Sequence, residues 1–299
     1  MSAQYASLTA AFELFAKIAD AQGEQYRALA YRRANATGMG GTHISTKIAE
    51  YRATGHIREL DELLARPGIQ ASLEFDKLLG FGPTTIKSLI VRGITTRAAL
   101  LDHVKRQEIT LTRLQDLGLR YYMDLQRAIP RADVTRVSEL IFAEIFKCAR
   151  DVIIETTGSY RRRAPESNDI DILTAGAQDS HEFLHNLHAR MSAQPFFVDI
   201  ITLGDQKYSF LMRFRWVISI DIIHVARESY YSALLYFTGS QSFNIWMREL
   251  CKKKGFSLNQ YELRAPNGTL IHLQSEEQIF EILGIPYVAP ANRSRAVIK

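Results

Sequence analysis

The stretch 157–173, TGSYRRRAPESNDIDIL, limits what the chain can fold into more than any other. Residues two apart on a β-strand face the same side. Asp169 and Asp171 therefore project together, while Ile170 and Ile172 enter a core. Such a strand needs a sheet to bury its isoleucines and a cation to offset its carboxylates. Two carboxylates on one face can hold one or two Mg²⁺ ions, which take hard oxygen ligands and leave room for substrate phosphates. Gly158-Ser159, closing an expected strand over 151–157, would offer backbone N–H groups and a hydroxyl to a polyphosphate. Arg162 would add a planar fork for a phosphoryl group. A two-metal site, with ions roughly 3.5–4 Å apart, calls for a further acid to steady the pair. In the apolar run 216–225, Trp216, Ile218, Ile220 and Ile222 alternate with a second face that carries Asp221 between Ser219 and Ile223. That carboxylate needs a metal or an arginine partner, and the spacing alone allows either.

A chain of 299 residues has room for two or three small domains. No run of 18 apolar residues occurs, and the N-terminus MSAQYASLTAAFELF lacks the regions of a signal peptide. Cys148 and Cys251 are too few for a disulfide framework or a zinc ribbon. These features predict an intracellular, reducing setting and no membrane partner. The net charge of +5 is unevenly spread. Residues 1–131 hold 18 Lys/Arg against 13 Asp/Glu, whereas 132–299 hold 19 of each. The excess predicts an anionic partner for the N-terminal part.

Apolar spacing predicts a helix over 8–33, then a glycine-rich break at 37–42 and a short helix over 43–53. Leu78-Leu79-Gly80-Phe81-Gly82-Pro83-Thr84 repeats that pattern of helix, glycine turn and proline-opened helix. GGT-HISTKIAEY and GFGPTTIKSLI thus form a loose internal repeat. Each copy would aim free backbone N–H groups and a helix N-terminus outward, where a phosphate could sit. After Pro130 a helix carrying Val134, Val137, Ile141, Ile145 and Cys148 leads into expected strands at 151–157, 170–174, 196–202, 208–214 and 216–225. A helix near 180–191 lies between the second and third. Helices around 241–254 and 276–283 flank a hairpin signal at Asn267-Gly268.

With these elements placed, Gly158-Ser159-Tyr160-Arg161-Arg162 followed by Asp169-x-Asp171 resembles the signature of the family X DNA polymerases, the family of DNA polymerase beta. Tyr236-Phe237-Thr238-Gly239-Ser240, Phe243-Asn244, Met247-Arg248 and Lys254-Gly255-Phe256 agree with it. The likeness runs from about residue 25 to the C-terminus. It implies an α+β multidomain protein: helical N-terminal domains with two helix-hairpin-helix motifs, a nucleotidyltransferase-type palm with a mixed β-sheet, and a small α/β C-terminal subdomain. The expected bounds are 1–60 for a shortened lyase-like domain, 61–131 for a DNA-binding subdomain, 132–230 for the palm and 231–299 for nucleotide selection.

The resemblance also implies roles. Asp169, Asp171 and Asp221 would bind two Mg²⁺ ions, with Mn²⁺ as a substitute, for transfer of a dNTP to a primer 3′-hydroxyl. Ser159, Arg162 and the backbone around Gly158, Ser167 and Asn168 would hold the triphosphate. Tyr236, Phe237 and Gly239 would lie against the sugar and Asn244 against the base, with Arg248, Lys254 and Lys207 on DNA. Tyr236-Phe237, in place of Gly-Trp, resembles the template-dependent branch. Gly40-Gly41 and Gly80-Phe81-Gly82 would grip DNA backbone, with Na⁺ or K⁺ at the loops. Lys47 would be the Schiff-base lysine of a 5′-deoxyribose phosphate lyase, with His43, Arg27 and Tyr31 around it. The implied partners are gapped or nicked duplex DNA, dNTPs and other repair proteins. The implied form is a monomer working in base excision repair, in the nucleus if the source is eukaryotic.

Three departures stand out. Between Ala34 and Gly40 the chain is about two dozen residues shorter than the family pattern, so part of the lyase domain is missing and Lys47 could be a solvated helix lysine. Arg163 replaces a glycine, which bears on how the loop approaches the triphosphate. Ser219 stands where an arginine usually supports the third aspartate. Other readings stay open: a catalytically weak DNA gap- or end-binding protein, a nucleotidyltransferase acting on RNA or a small molecule, and a zinc hydrolase using His181-Glu182-Phe183-Leu184-His185 with His188. If Ser219 loosens the site, Ser219→Arg is expected to lower misincorporation several-fold relative to the parent in a single-nucleotide fidelity assay.

Overall fold

The computed structural model describes residues 5–176 and 179–294. They form two compact units, one running to Tyr122 and the other starting at Met123.

The first unit is helical. Ser7 caps α1 (Leu8–Ala21) by accepting from the Ala10 N–H. The predicted single helix over 8–33 is divided at Gly23, whose φ of +78° is a left-handed turn that glycine adopts at little cost. The chain restarts as α2 (Gln25–Thr37), which ends on left-handed Gly38 and passes through Gly41 into α3 (Thr42–Thr54) and then α4 (Arg58–Leu64). Phe12, Phe15, Tyr31, Ile44, Ile57 and Leu60 form the core of this bundle. A second core gathers Phe75, Leu78, Phe81, Ile86, Leu100 and Leu119 from α5 (Pro67–Phe75), α6 (Pro83–Val91), α7 (Arg97–Lys105), α8 (Arg113–Arg120) and their connections. Proline opens both α5 and α6, where its missing N–H costs nothing.

A single turn, α9 (Tyr122–Leu125), precedes β1 (Ile129–Pro130) and the long helix α10 (Arg131–Cys148). Next come β2 (Ile153–Thr156), the one-turn α11 (Gly158–Arg161), β3 (Glu166–Ser167) and β4 (Ile170–Gly176). The chain continues through α12 (Ser180–Ser192), β5 (Phe197–Leu203), β6 (Lys207–Arg213) and β7 (Val217–Ala226). The main sheet has the order β2-β4-β7-β6-β5, with β4 and β7 parallel and the other neighbours antiparallel. One face packs Ile170, Ile172, Ile218, Ile220 and Ile222 against α10 and α12, and the other packs Leu173, Ile223 and Val225 against α13 (Tyr230–Thr238). Burial on both faces explains why these central strands read as almost continuous apolar runs. Beyond α13, α14 (Gln241–Lys253), the short strands β8 (Ser257–Leu258), β9 (Leu263–Arg264) and β10 (Leu270–Ile271), and α15 (Glu277–Ile282) close on a core of Leu235, Phe243, Met247, Leu263 and Phe280. The Asn267-Gly268 turn joins β9 to β10, with Gly268 at φ +83°.

One close approach in the first unit was hidden in the sequence. A Cβ on Gly118 would lie 2.1 Å from the Leu79 carbonyl oxygen, so α8 rests directly on the backbone before the Gly80 turn. Gly82, by contrast, has φ −84° and open space where its Cβ would be. Alanine gains about 1 kcal/mol over glycine in a helix, but overpacking against rigid backbone costs about 1–3 kcal/mol or more and dominates here. Gly118→Ala is expected to lower the thermal unfolding temperature by several degrees, and Gly82→Ala to leave it nearly unchanged, as followed by far-UV circular dichroism.

Candidate active site

The site begins in strand register. On the parallel pair β4–β7, Asp171 is the direct partner of Asp221, and Ile170 and Ile172 are partnered by Ile220 and Ile222. These isoleucines are at most 1% exposed. A one-residue slip would send them to the opposite face and bury a carboxylate, so the core fixes the register. Asp169 stands one residue before β4, exposed along part of its surface. Asp171 and Asp221 are half-buried.

Each acid is positioned by its surroundings. Gly158 sits at φ +54°, and a Cβ there would fall 2.2 Å from Asp171 Oδ2. Only glycine lets the turn approach this carboxylate so closely. The Thr157 N–H donates to the Asp171 carbonyl at 2.8 Å and holds the turn to the strand. Lys207 Nζ, from the start of β6, lies 2.7 Å from Asp221 Oδ2. Desolvation pushes the carboxyl pKa of Asp169 up, and the Asp221 charge adds to it. Asp171 is raised in the same way by burial, then by the charges of Asp169 and Asp221. The three acids therefore repel one another at one end of the sheet.

Among the described residues, no group of three or more His, Cys, Asp or Glu side chains is gathered as a ready metal cage. Asp171 lies against Gly158 and Asp221 against Lys207. The donor chemistry still fits a hard divalent cation. The set is all oxygen, and it carries charge that burial and mutual repulsion make costly until a cation offsets it.

The phosphate-binding candidates cluster beside the acids. Ser159 Oγ and Ser167 Oγ share a hydrogen bond of 2.6 Å, which ties α11 to β3. Asn168 is exposed next to it. Arg162 is not a free fork. Its Nη1 donates to the Thr238 carbonyl at 2.8 Å and its Nε to Ser294 Oγ at 3.1 Å. Desolvation lowers its pKa against the pull of Asp171 and Asp169. Arg163 is exposed at φ +63°, the left-handed region that glycine favours.

In the last turn of α13, Tyr236 and Phe237 meet edge to face with centroids 5.1 Å apart. Asn244 Nδ2 donates to the Tyr236 carbonyl at 2.7 Å. Gly239 takes φ +62°, and its Cβ would lie 3.4 Å from Arg162 Nη1. Arg248 and Lys254 are exposed on and just after α14.

Sequence reasoning missed what holds this second wall in place. Arg161 donates from both terminal nitrogens to Glu276, at 3.0 Å each, and to Thr238 Oγ1 at 2.7 Å. Arg293 donates to the same carboxylate at 2.7 Å from among Phe243, Phe280 and Tyr287. Burial opposes the Glu276 charge, but the hydrogen bonds from Arg293 and Arg161 outweigh it and hold the carboxyl pKa down. Arg161 looked like one member of a charged run, and a glutamate before the last helix gives no signal of its own.

In the first unit, Lys47 is buried rather than solvated. Its Nζ lies 2.5 Å from Glu59 Oε2 and 5.6 Å from the Phe15 ring centre. Arg27 shares Glu59 at 3.0 Å and also pairs with Glu24. Tyr31 stacks on Phe15 at 4.6 Å, whereas His43 is exposed. Gly41 and Gly82 are the N-cap residues of α3 and α6. A Cβ on Gly40 would collide with Ile44 at 2.5 Å, and one on Gly80 with the Leu114–Gln115 backbone at 2.9 Å. The H-E-x-x-H segment lies on α12, where His181 and His185 stack on each other and His188 Nδ1 meets the Tyr208 hydroxyl at 3.0 Å. Those imidazoles do not converge on a shared point.

Comparison with known proteins agrees with this geometry. The DNA polymerase beta palm family matches residues 128–223 and the DNA polymerase beta thumb family residues 233–294. DNA polymerase lambda of Rattus norvegicus is 27% identical, over 96% of this chain and 56% of its own length. DNA polymerase lambda of Arabidopsis thaliana is 26% identical, over 85% of this chain and 52% of its own. DNA-directed DNA/RNA polymerase mu of Homo sapiens is 24% identical, over 96% and 68%. The chain thus spans about half the length of the two lambda polymerases.

The Glu276 network makes stability depend on pH. A carboxyl whose folded pKa lies below its unfolded value of about 4.3 contributes fully above that value, and the contribution is lost as pH falls through the folded pKa. Glu276→Gln is expected to flatten the acid side of the stability profile below about pH 4.5. At pH 7 it should cost about 3–5 kcal/mol, because Arg293 is left buried without its counter-charge. Urea unfolding across pH 3–7 reads both effects.

Proposed function

We propose, for a chain that belongs to the family X DNA polymerases, that it is a template-directed DNA polymerase filling short gaps in base excision repair. The observation that carries the reading is the β4–β7 register, which sets Asp171 beside Asp221 next to the Gly158-Ser159 turn. A bare nucleotide-binding turn would not need those paired acids.

Asp169, Asp171 and Asp221 would hold two Mg²⁺ ions, or Mn²⁺, which when bound stabilise the attacking and leaving oxygens of an in-line displacement. The chain's own residues then divide the substrate. Asp221, on the strand nearest Lys207, faces the primer 3′-hydroxyl. Ser159, the Gly158 backbone and the segment at Ser167 and Asn168 orient the triphosphate. Arg162 exchanges its bonds to Thr238 and Ser294 for phosphate oxygens, so triphosphate binding is felt at the far end of α13. Tyr236, Phe237 and Gly239 form the wall against the sugar, Asn244 meets the base edge, and Arg248, Lys254 and Lys207 contact the DNA strands.

The first unit supplies the grip on DNA. The turns at Gly40-Gly41 and Gly80–Gly82 act as two helix-hairpin-helix motifs whose free N–H groups receive backbone phosphates. Their carbonyls hold Na⁺ or K⁺. The basic excess of residues 1–131 supports this assignment. In this reading the domains are 1–60, 61–131, 132–230 and 231–299, in a monomer working at nuclear or other intracellular repair sites with other repair proteins. Burial of Lys47 against Phe15 favours a second activity, 5′-deoxyribose phosphate lyase, since desolvation is one route to a nucleophilic amine. Glu59 must first release that amine.

Purified protein with Mg²⁺ is expected to add one templated nucleotide to a one-nucleotide gap bearing a 5′-phosphate. Asp171→Ala should lower the rate at least a thousandfold, about 4 kcal/mol of barrier. Tight binding to the gap without addition in either Mg²⁺ or Mn²⁺ would replace this reading with the gap-binding one. Borohydride trapping on an incised abasic site, lost in Lys47→Ala, tests the lyase.

A further inference from the structure

Lys207 puts a positive charge where the three aspartates need one. It opens β6, the strand beside β7, where Ser209 is the direct partner of Asp221 and Lys207 the partner of Ile223. From there its four-carbon stem brings Nζ within 2.7 Å of Asp221 Oδ2. The Lys207 side chain is 50% exposed and the Asp221 side chain 20%, so the pair sits at the rim of the site, within reach of solvent. The same ammonium opposes the rise in both Asp169 and Asp171, as does Arg162. Arg162, however, is committed to Thr238 and Ser294. Among the described residues, Lys207 is the cation seen in an ion pair with a member of the triad.

We propose that the Lys207 ammonium is a built-in competitor for the divalent cation. It engages Asp221 and has to leave before a metal can use that acid. The inference rests on the reading of the three aspartates as metal ligands.

The physical chemistry allows such an exchange. An ion pair this exposed is worth roughly 0–1 kcal/mol, so it biases the site without closing it. A lysine holds a carboxylate as a point charge on a flexible stem, whereas an arginine would clamp it with two parallel bonds. A dication brings twice the charge to the same oxygen and draws on the other carboxylates at once, so it outcompetes one ammonium. Strand register brings the acids together, and Asp221 is bonded to the lysine. In this role Lys207 is a positioning residue that sets how much divalent cation the site requires.

The experiment measures Mn²⁺ binding to the whole protein without DNA or nucleotide, from the electron paramagnetic resonance signal of free Mn²⁺. Lys207→Gln, which keeps length and removes charge, is expected to bind Mn²⁺ roughly two- to fivefold more tightly than the parent. Lys207→Arg should bind no more tightly than the parent. Without metal, Lys207→Gln should melt at a lower temperature than the parent, and Mn²⁺ should raise its melting temperature by more. A merely structural lysine would lower stability and metal affinity together. Unchanged or weaker Mn²⁺ binding by Lys207→Gln overturns the proposal, as does failure of both proteins to bind. Asp171→Ala is the separate control. If it leaves the parent's Mn²⁺ binding intact, the reading of the aspartates as ligands fails, whatever Lys207 does.

Discussion

The parallel register of β4 and β7 is the constraint on which the rest of the second unit depends. Both strands are buried on two faces, so their isoleucines leave little freedom to slide. Asp171 and Asp221 are carried to adjacent positions by a core that has no chemical interest in them. Like charges brought together this way are unfavourable alone, and the fold tolerates them because apolar packing on both sides fixes where they must stand. The consequence spreads outward. Gly158 has to be glycine because Asp171 fills the space of its Cβ, and the turn it begins then places Ser159 and Arg162. Ser159 in turn ties to Ser167, whose β3 segment pairs back on β1 before α10. One register choice thus fixes an acid, a turn and a hydroxyl.

The second wall is held by charge instead of apolar packing. Arg161 follows the Gly158-Ser159 turn by two residues and reaches Glu276, which Arg293 also grips from within an aromatic cage. Buried ionic networks of this kind are a weak source of net stability, because desolvation offsets most of the attraction. Their geometry is demanding, and that suits a wall whose distance from the acids matters. Arg161 and Arg162 both reach Thr238, one through its hydroxyl and one through its carbonyl. The turn that would hold the triphosphate and the helix end that would meet the sugar are therefore mechanically joined before any substrate arrives.

Much of this was legible in the sequence because local rules and global fold agree there. The period-two pattern of 169–172 and 216–223 named the acids and their core neighbours, and the glycine turns located the starts of α3 and α6. What stayed hidden lacks periodicity. Gly23 interrupts an apolar spacing that otherwise reads as one helix, and backbone preference at that glycine prevailed over side-chain pattern. The contact between Gly118 and Leu79, the Glu276 network and the Lys207–Asp221 pair join residues far apart in sequence. No single-position rule signals such a meeting. Lys47 shows the same limit: its helix was visible, but Phe15 and Glu59, which decide whether its amine is buried, come from other helices.

The two departures from the family pattern in the palm now differ in character. Arg163 occupies the left-handed region that a glycine would take freely, at a cost of about 1–2 kcal/mol for a side-chain-bearing residue. The loop is held there by neighbouring backbone bonds: the Arg163 N–H donates to the Tyr160 carbonyl, the Ala164 N–H to Ser159, and the Arg131 N–H to Pro165. The backbone path therefore suits a glycine and is kept without one, and the substitution adds an exposed cation while leaving the turn in place. Ser219 is a different case. Its hydroxyl cannot replace a guanidinium, and the positive charge on Asp221 comes instead from Lys207 on the next strand. A support on the same strand would stay fixed as the site fills, whereas a flexible lysine at the rim can be drawn away. The first departure changes a side chain and spares the machinery. The second leaves Asp221 paired with a partner on the neighbouring strand rather than on its own.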